Sequence, residues 1–85
     1  MNNKHKKALA DIFEKPTRSD VAWSDIEKLF VVLGATLSEG NGSRVRVLLN
    51  CEIAVFHRPH PKRVVSKACL TSVRRFLRNA GVEQP

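Results

Sequence analysis

The sequence predicts an α+β fold: two helices, then three antiparallel strands, then a closing helix. Three observations carry this reading. Apolar residues recur with helical spacing at Ile26, Leu29, Phe30 and Leu33, and again at Leu70, Val73, Phe76 and Leu77. Between those segments the run from Ser43 to Leu49 alternates, with Val45, Val47 and Leu49 on one face, as a half-buried strand does. Turn residues punctuate the chain where the patterns change, at Gly34, Gly40-Asn41-Gly42, Asn50-Cys51 and Gly81.

The first helix is expected from about Lys4 to Glu14. Ala8, Leu9, Ile12 and Phe13 form its stripe, and Pro16 forces an end. Thr17-Arg18-Ser19-Asp20 reads as a polar connector. In the second helix Ser24 and Glu27 have the spacing of a capping box, in which each side chain satisfies the other residue's backbone amide. Trp23, just before that cap, is expected to pack onto the helix, and Gly34 to close it in a left-handed conformation. A short strand follows over Ala35 to Glu39. The last helix spans about Ser66 to Ala80, ends at Gly81, and carries Arg74, Arg75 and Arg78 in its C-terminal half, where cations suit the helix dipole. These three arginines are expected on the helix-end surface or in partner contacts.

The two central strands set up a candidate site. A two-residue turn at Asn50-Cys51 fixes the register of a hairpin between the strand ending at Leu49 and the strand Glu52 to His57. Leu49 then faces Glu52, Val47 faces Ala54, Val45 faces Phe56, and Arg44 faces His57. One face, with Val45, Val47, Ala54 and Phe56, should meet the helices. The other, with Arg44, Arg46, Val55 and His57, should meet water or a ligand. Histidine exchanges protons near neutral pH, and arginine offers a permanent charge shaped to grip a phosphate. Side by side, the two are what RNA cleavage requires. His60, held between Pro59 and Pro61 beyond the strand, is the second candidate histidine. An assignment without any catalytic histidine, centred on Arg44, stays open.

Composition bounds the function. Eighty-five residues suit one domain, read as 1–20 for the additional helix and connector and 21–82 for the core. A hydrophobic share of 42% argues against wholesale disorder. The net charge of +7 and pI near 10.1 favour a polyanionic partner: nucleic acid, an anionic membrane surface or an acidic protein. No apolar run approaches the roughly 18 residues of a membrane span. The basic N-terminus is followed by a segment too charged and too short for a secretory signal, so a cytoplasmic location is expected. Cys51 and Cys69 form no metal-binding pattern and read as unrelated reduced thiols. No cofactor is indicated, and no helix-turn-helix pattern suggests DNA binding by this chain alone.

Without its first helix the order is αβββα, the layout of double-stranded RNA-binding domains. In its motifs the chain resembles the HicA family of bacterial toxins, from about Trp23 to Val82. The likeness rests on the helix closing at Leu33-Gly34-Ala35, on Gly42-Ser43-Arg44 entering a basic strand, on Val55-Phe56-His57-Arg58-Pro59-His60-Pro61, and on the ending Leu77-Arg78-Asn79-Ala80-Gly81-Val82. The resemblance implies a dsRBD-like fold and the toxin half of a type II toxin–antitoxin pair. It implies an mRNA endoribonuclease that needs no metal, held in check by a HicB-type antitoxin. It also implies a catalytic histidine directly after the Gly-Ser turn, where this sequence has Arg44. His57, across the hairpin from Arg44, is expected to take over proton transfer while Arg44 steadies the phosphate. Ser43, Arg46, Arg58, Lys62 and Arg63 surround that point as candidate RNA contacts. The alternatives are an RNA-binding module of the same fold that does not cut, and an inactive toxin retained as an antitoxin-binding subunit.

Overall fold

The computed structural model describes residues 1–83. Its elements are α1 (Asn3–Phe13), α2 (Trp23–Val32), β1 (Thr36–Glu39), β2 (Arg44–Leu49), β3 (Glu52–His57) and α3 (Lys67–Asn79). The three strands form one antiparallel sheet in the order β1-β2-β3. The αβββα arrangement preceded by one extra helix is therefore the observed architecture.

The sheet register follows from its turn. Asn50 and Cys51 both take positive φ, 48° and 69°, the conformation a tight primed turn demands of its two central residues. Asn50 also donates from Nδ2 to the Ala80 carbonyl at 2.8 Å, fastening the hairpin tip to the end of α3. The pairs Arg44–His57, Val45–Phe56, Arg46–Val55, Val47–Ala54 and Leu49–Glu52 result. Val45, Val47, Leu49 and Phe56 turn inward and are buried, whereas Arg44, Arg46, Val55 and His57 turn outward and are exposed.

The core lies between the sheet's inner face and the helices. Phe56 is its aromatic hub, with ring centroids 5.8 Å from Trp23, 5.9 Å from Phe30 and 5.9 Å from Phe76. Such offset and edge-on pairs add to area burial. Ile12, Ile26, Leu29, Leu70, Val73 and Leu77 complete the packing with almost no exposure. At the end of α2, Gly34 has φ of +94°, which lets the Ala35 amide donate back to the Phe30 carbonyl at 2.9 Å.

Two expectations are corrected. Ser24 and Glu27 do not form a capping box. The helix begins two residues earlier than that cap implies, at Trp23, with Ala22 in place of Ser24 at the N-cap and no side chain capping it. The reason is tertiary. The Trp23 amide donates to the Arg63 carbonyl at 2.9 Å, and Val65 N–H donates to the Val21 carbonyl at 3.0 Å, so the returning 58–65 segment sets the helix start. Glu27 is drawn to the Trp23 indole N–H and to Arg58 instead.

Arg74 is not helix-end surface. It is 7% exposed and donates to the carbonyls of Ile12 (2.9 Å) and Glu14 (3.1 Å) and to Thr17 Oγ1 (3.2 Å). Its charge thus meets the unsatisfied carbonyl end of α1, where the helix dipole is negative. Arg78 lies over the Phe13 ring at 5.5 Å, a second tie between α3 and α1.

Candidate functional site

The outward face of the sheet carries the candidate site. The Arg44 carbonyl accepts from Gly40 N–H at 3.0 Å on the β1 side. Arg44 and His57 are therefore a non-hydrogen-bonded pair of the β2–β3 ladder, the kind whose side chains approach most closely, with Cα atoms about 4.5 Å apart. Gly40 makes room for this turn: a Cβ there would sit 3.1 Å from the Cβ of Arg44. At the same end of the ladder, Arg58 N–H donates to the Ser43 carbonyl at 2.9 Å, carrying the pairing one step past His57.

Arg58 stands apart from the other cations. Its guanidinium is gripped by Glu27 (Nε to Oε2, 2.7 Å) and by Glu39 (2.6 and 2.7 Å to the two carboxylate oxygens). The bonds to Glu39, and then those to Glu27, hold its pKa above the ordinary arginine value. In return Arg58 holds the Glu39 carboxyl below the usual carboxylate range. One side chain thus joins α2, β1 and the segment leaving β3. Its donors are spent on carboxylates, whereas a phosphate contact needs them open. Glu27 and Glu39 are partners that sequence reasoning missed. They lie 31 and 19 residues from Arg58, and Glu27 carried a local helix-capping signal that hid its long-range role.

Arg44, Arg46, Lys62 and Arg63 are exposed and form no ion pair among the described residues. Ser43 is exposed in the turn before β2. His57 and His60 line one groove of about 830 Å³, together with Pro59, Lys62, Cys69 and Ser72. The groove runs between β3 and the N-terminal half of α3. Arg44 is not part of its wall; it is the cross-strand partner of His57 on the sheet face. Cys51 and Cys69 are free thiols, and burial raises the pKa of Cys69. No group of three or more His, Cys, Asp or Glu that could hold a metal ion occurs among the described residues. None of the described helices is long and apolar enough to cross a membrane.

The arrangement offers two imidazoles in one groove, a guanidinium beside the first, and unpaired cations around them. Such a set can move protons and hold a phosphodiester. No curated protein and no solved structure matches the chain. The family model for the HicA toxin of bacterial toxin–antitoxin systems matches residues 23–82. The match begins at the first residue of α2 and runs past α3, leaving α1 and its connector outside. The αβββα core just described is the matched portion, and the chain belongs to the HicA toxin family.

Proposed function

We propose that this toxin is a metal-independent mRNA endoribonuclease whose proton-transfer residue is His57. The observation that carries the reading is the direct Arg44–His57 pairing on the exposed sheet face. The imidazole of His57 draws the proton from a ribose 2′-OH, and the oxygen attacks the adjacent phosphorus. Arg44 stabilises the charge that develops on the phosphoryl oxygens. His60, which lines the same groove, protonates the departing 5′-oxygen. Arg46, Lys62, Arg63 and Ser43 hold the flanking phosphates and set the strand's direction, a role that gives affinity without sequence readout. Arg58 supports the loop. The partner is a HicB-type antitoxin that closes this face, with acidic groups complementing the net charge of +7.

Cleavage of a labelled mRNA in EDTA tests this reading. The wild-type chain is expected to cut and to arrest growth on induction, with rescue by co-expression of the antitoxin. His57→Ala is expected to lose about 10²–10⁴-fold in rate, the usual worth of positioned proton transfer. Undiminished cleavage by that variant removes His57 from the role. A second reading, an RNA-binding module that does not cut, is favoured by one observation: Arg44 stands where the family resemblance implies a histidine. RNA binding by the wild-type chain with no cleavage under any condition would select it.

A further inference from the structure

The sheet has one long free edge, and it is β3. The Arg58 amide points at β2. By antiparallel alternation the amides and carbonyls of Glu52, Ala54 and Phe56 do the same, and those of Ile53, Val55 and His57 point away from the sheet. Free edges are ordinarily blunted by charge, proline, a bulge or a covering element. This one has no proline within its six residues, and its one formal charge, Glu52, sits at the turn end of the strand. Instead Ile53 and Val55 are 63% and 52% exposed. The opposite edge, β1, is only four residues long and ends at Glu39, already bound to Arg58. The groove that contains His57 runs along the β3 edge, with the half-buried Ala54 and Cys69 in its wall and Val65 buried beneath.

We propose that the β3 edge accepts an extended acidic segment of a protein partner as a fourth strand. The edge offers alternating donors and acceptors, the pattern of a peptide backbone. A nucleic-acid phosphate only accepts, and would leave the outward carbonyls unanswered. A second copy of this chain would bring the same positive face against itself. Every other side chain of the added strand drops into the groove over Ala54 and Cys69, which leave room for small apolar groups. The alternate side chains lie on the outer face, beside Ile53, Val55 and His57 and near Arg46, the cross-strand partner of Val55, and Lys62 of the groove wall, which lack carboxylate partners among the described residues. The segment recognised is therefore one that alternates acidic and small apolar residues, and its docking covers His57. This deepens the function proposed above, because it rests on that reading for the identity of what is covered.

The test uses the isotope-labelled full chain and a synthetic peptide of alternating glutamate and valine, followed by amide shifts and hydrogen exchange. Binding is expected to slow exchange at Ile53, Val55 and His57. A peptide N-methylated at alternate residues on its β3-facing side, and one with lysine for glutamate, are each expected to bind about tenfold more weakly or worse, given the worth of a few backbone hydrogen bonds. Val55→Pro removes one outward donor at an edge position where proline is tolerated, and is expected to give the same loss with an unchanged circular dichroism spectrum. The peptide controls decide the matter even if that variant fails to fold. No protection at those three amides, equal binding of the N-methylated peptide, or protection by an oligoribonucleotide in place of the peptide would overturn the proposal. Because the titration contains no RNA turnover, its failure leaves the cleavage assay to be judged separately.

Discussion

The two faces of this sheet are built from the same strands and do opposite things. On β3, Phe56 points inward, is 5% exposed, and packs against three aromatic rings. The next residue, His57, points outward and packs on none of them. β2 repeats the division, with Val45 fully buried and Arg44 exposed beside it. One residue of strand separates the groups that hold the fold from the exposed groups of the candidate site. The lesson is that a small basic domain can spend its inner face on stability and keep a charged, undedicated face, provided the register cannot slip. The Asn50-Cys51 turn and the Phe56 hub are what prevent slippage.

Adjacent substitutions give the sharpest way to break this comparison. Phe56→Ala is expected to cost about 3–5 kcal/mol through lost burial and the cavity left among the rings. That is a large part of the roughly 5–15 kcal/mol available to a domain of this kind. Urea unfolding measures it. His57→Ala, one residue along, is expected to change stability by less than about 0.5 kcal/mol, as exposed positions do, while slowing cleavage by about 10²–10⁴-fold. If the two variants lost stability equally, the division between faces would be wrong.

Arg44 sharpens the outer half. Arg44→Lys keeps the charge and loses the planar fork that grips two phosphoryl oxygens. It is expected to cleave RNA more slowly than wild type, and Arg44→Ala more slowly still, with both variants melting near the wild-type temperature. A lysine variant indistinguishable from wild type would mean that Arg44 acts only as a point charge.

The inner side has its own arginine. Arg74 uses its guanidinium to close α1, through the Ile12 and Glu14 carbonyls and Thr17. Arg74→Met fills similar space but leaves those acceptors buried without a donor, an expected cost of about 1–3 kcal/mol. Hydrogen exchange should localise the loss to α1, since that helix lies outside the family match and this side chain fastens it. Protection lost uniformly across the sheet would show that α1 is not separately held.

Sequence patterns made the sheet legible because its determinants are local. Alternation fixes which face each strand residue takes, and the two-residue turn between Leu49 and Glu52 fixes the register, so Arg44 and His57 could be paired from sequence. The second helix start was not legible. Ser24 and Glu27 have the spacing of a cap, but the bond from Trp23 N–H to the Arg63 carbonyl spans forty residues and overrides it. Arginines were the least legible. Arg44, Arg58 and Arg74 look alike in sequence, yet one is exposed, one is gripped by two carboxylates and one is buried against a helix end. What separates them is which long-range acceptors the fold delivers, and no spacing rule encodes that. The groove beside β3 escaped notice for the same reason, since its walls come from β3 and from α3.

The smallest expected effect tests the residue between the two faces. Arg58 belongs to neither, because its charge is matched by Glu39 and Glu27 at the sheet end. Glu39 has its pKa lowered from the ordinary value of 4.5 by the bond to Arg58. A carboxyl with a lowered folded-state pKa stabilises the fold above its unfolded-state value, and that contribution disappears as pH falls through the folded-state value. Wild type should therefore be slightly more stable than Glu39→Gln at neutral pH, and the gap should close on acidification below about 4.5. Glu39 is largely exposed, so solvent and salt screen the bond, and the gap should shrink in high salt as well. Paired urea titrations from neutral to acid pH read this directly. A gap that persisted in acid would assign the difference to packing of the glutamine, and Arg58 would then be held chiefly by Glu27.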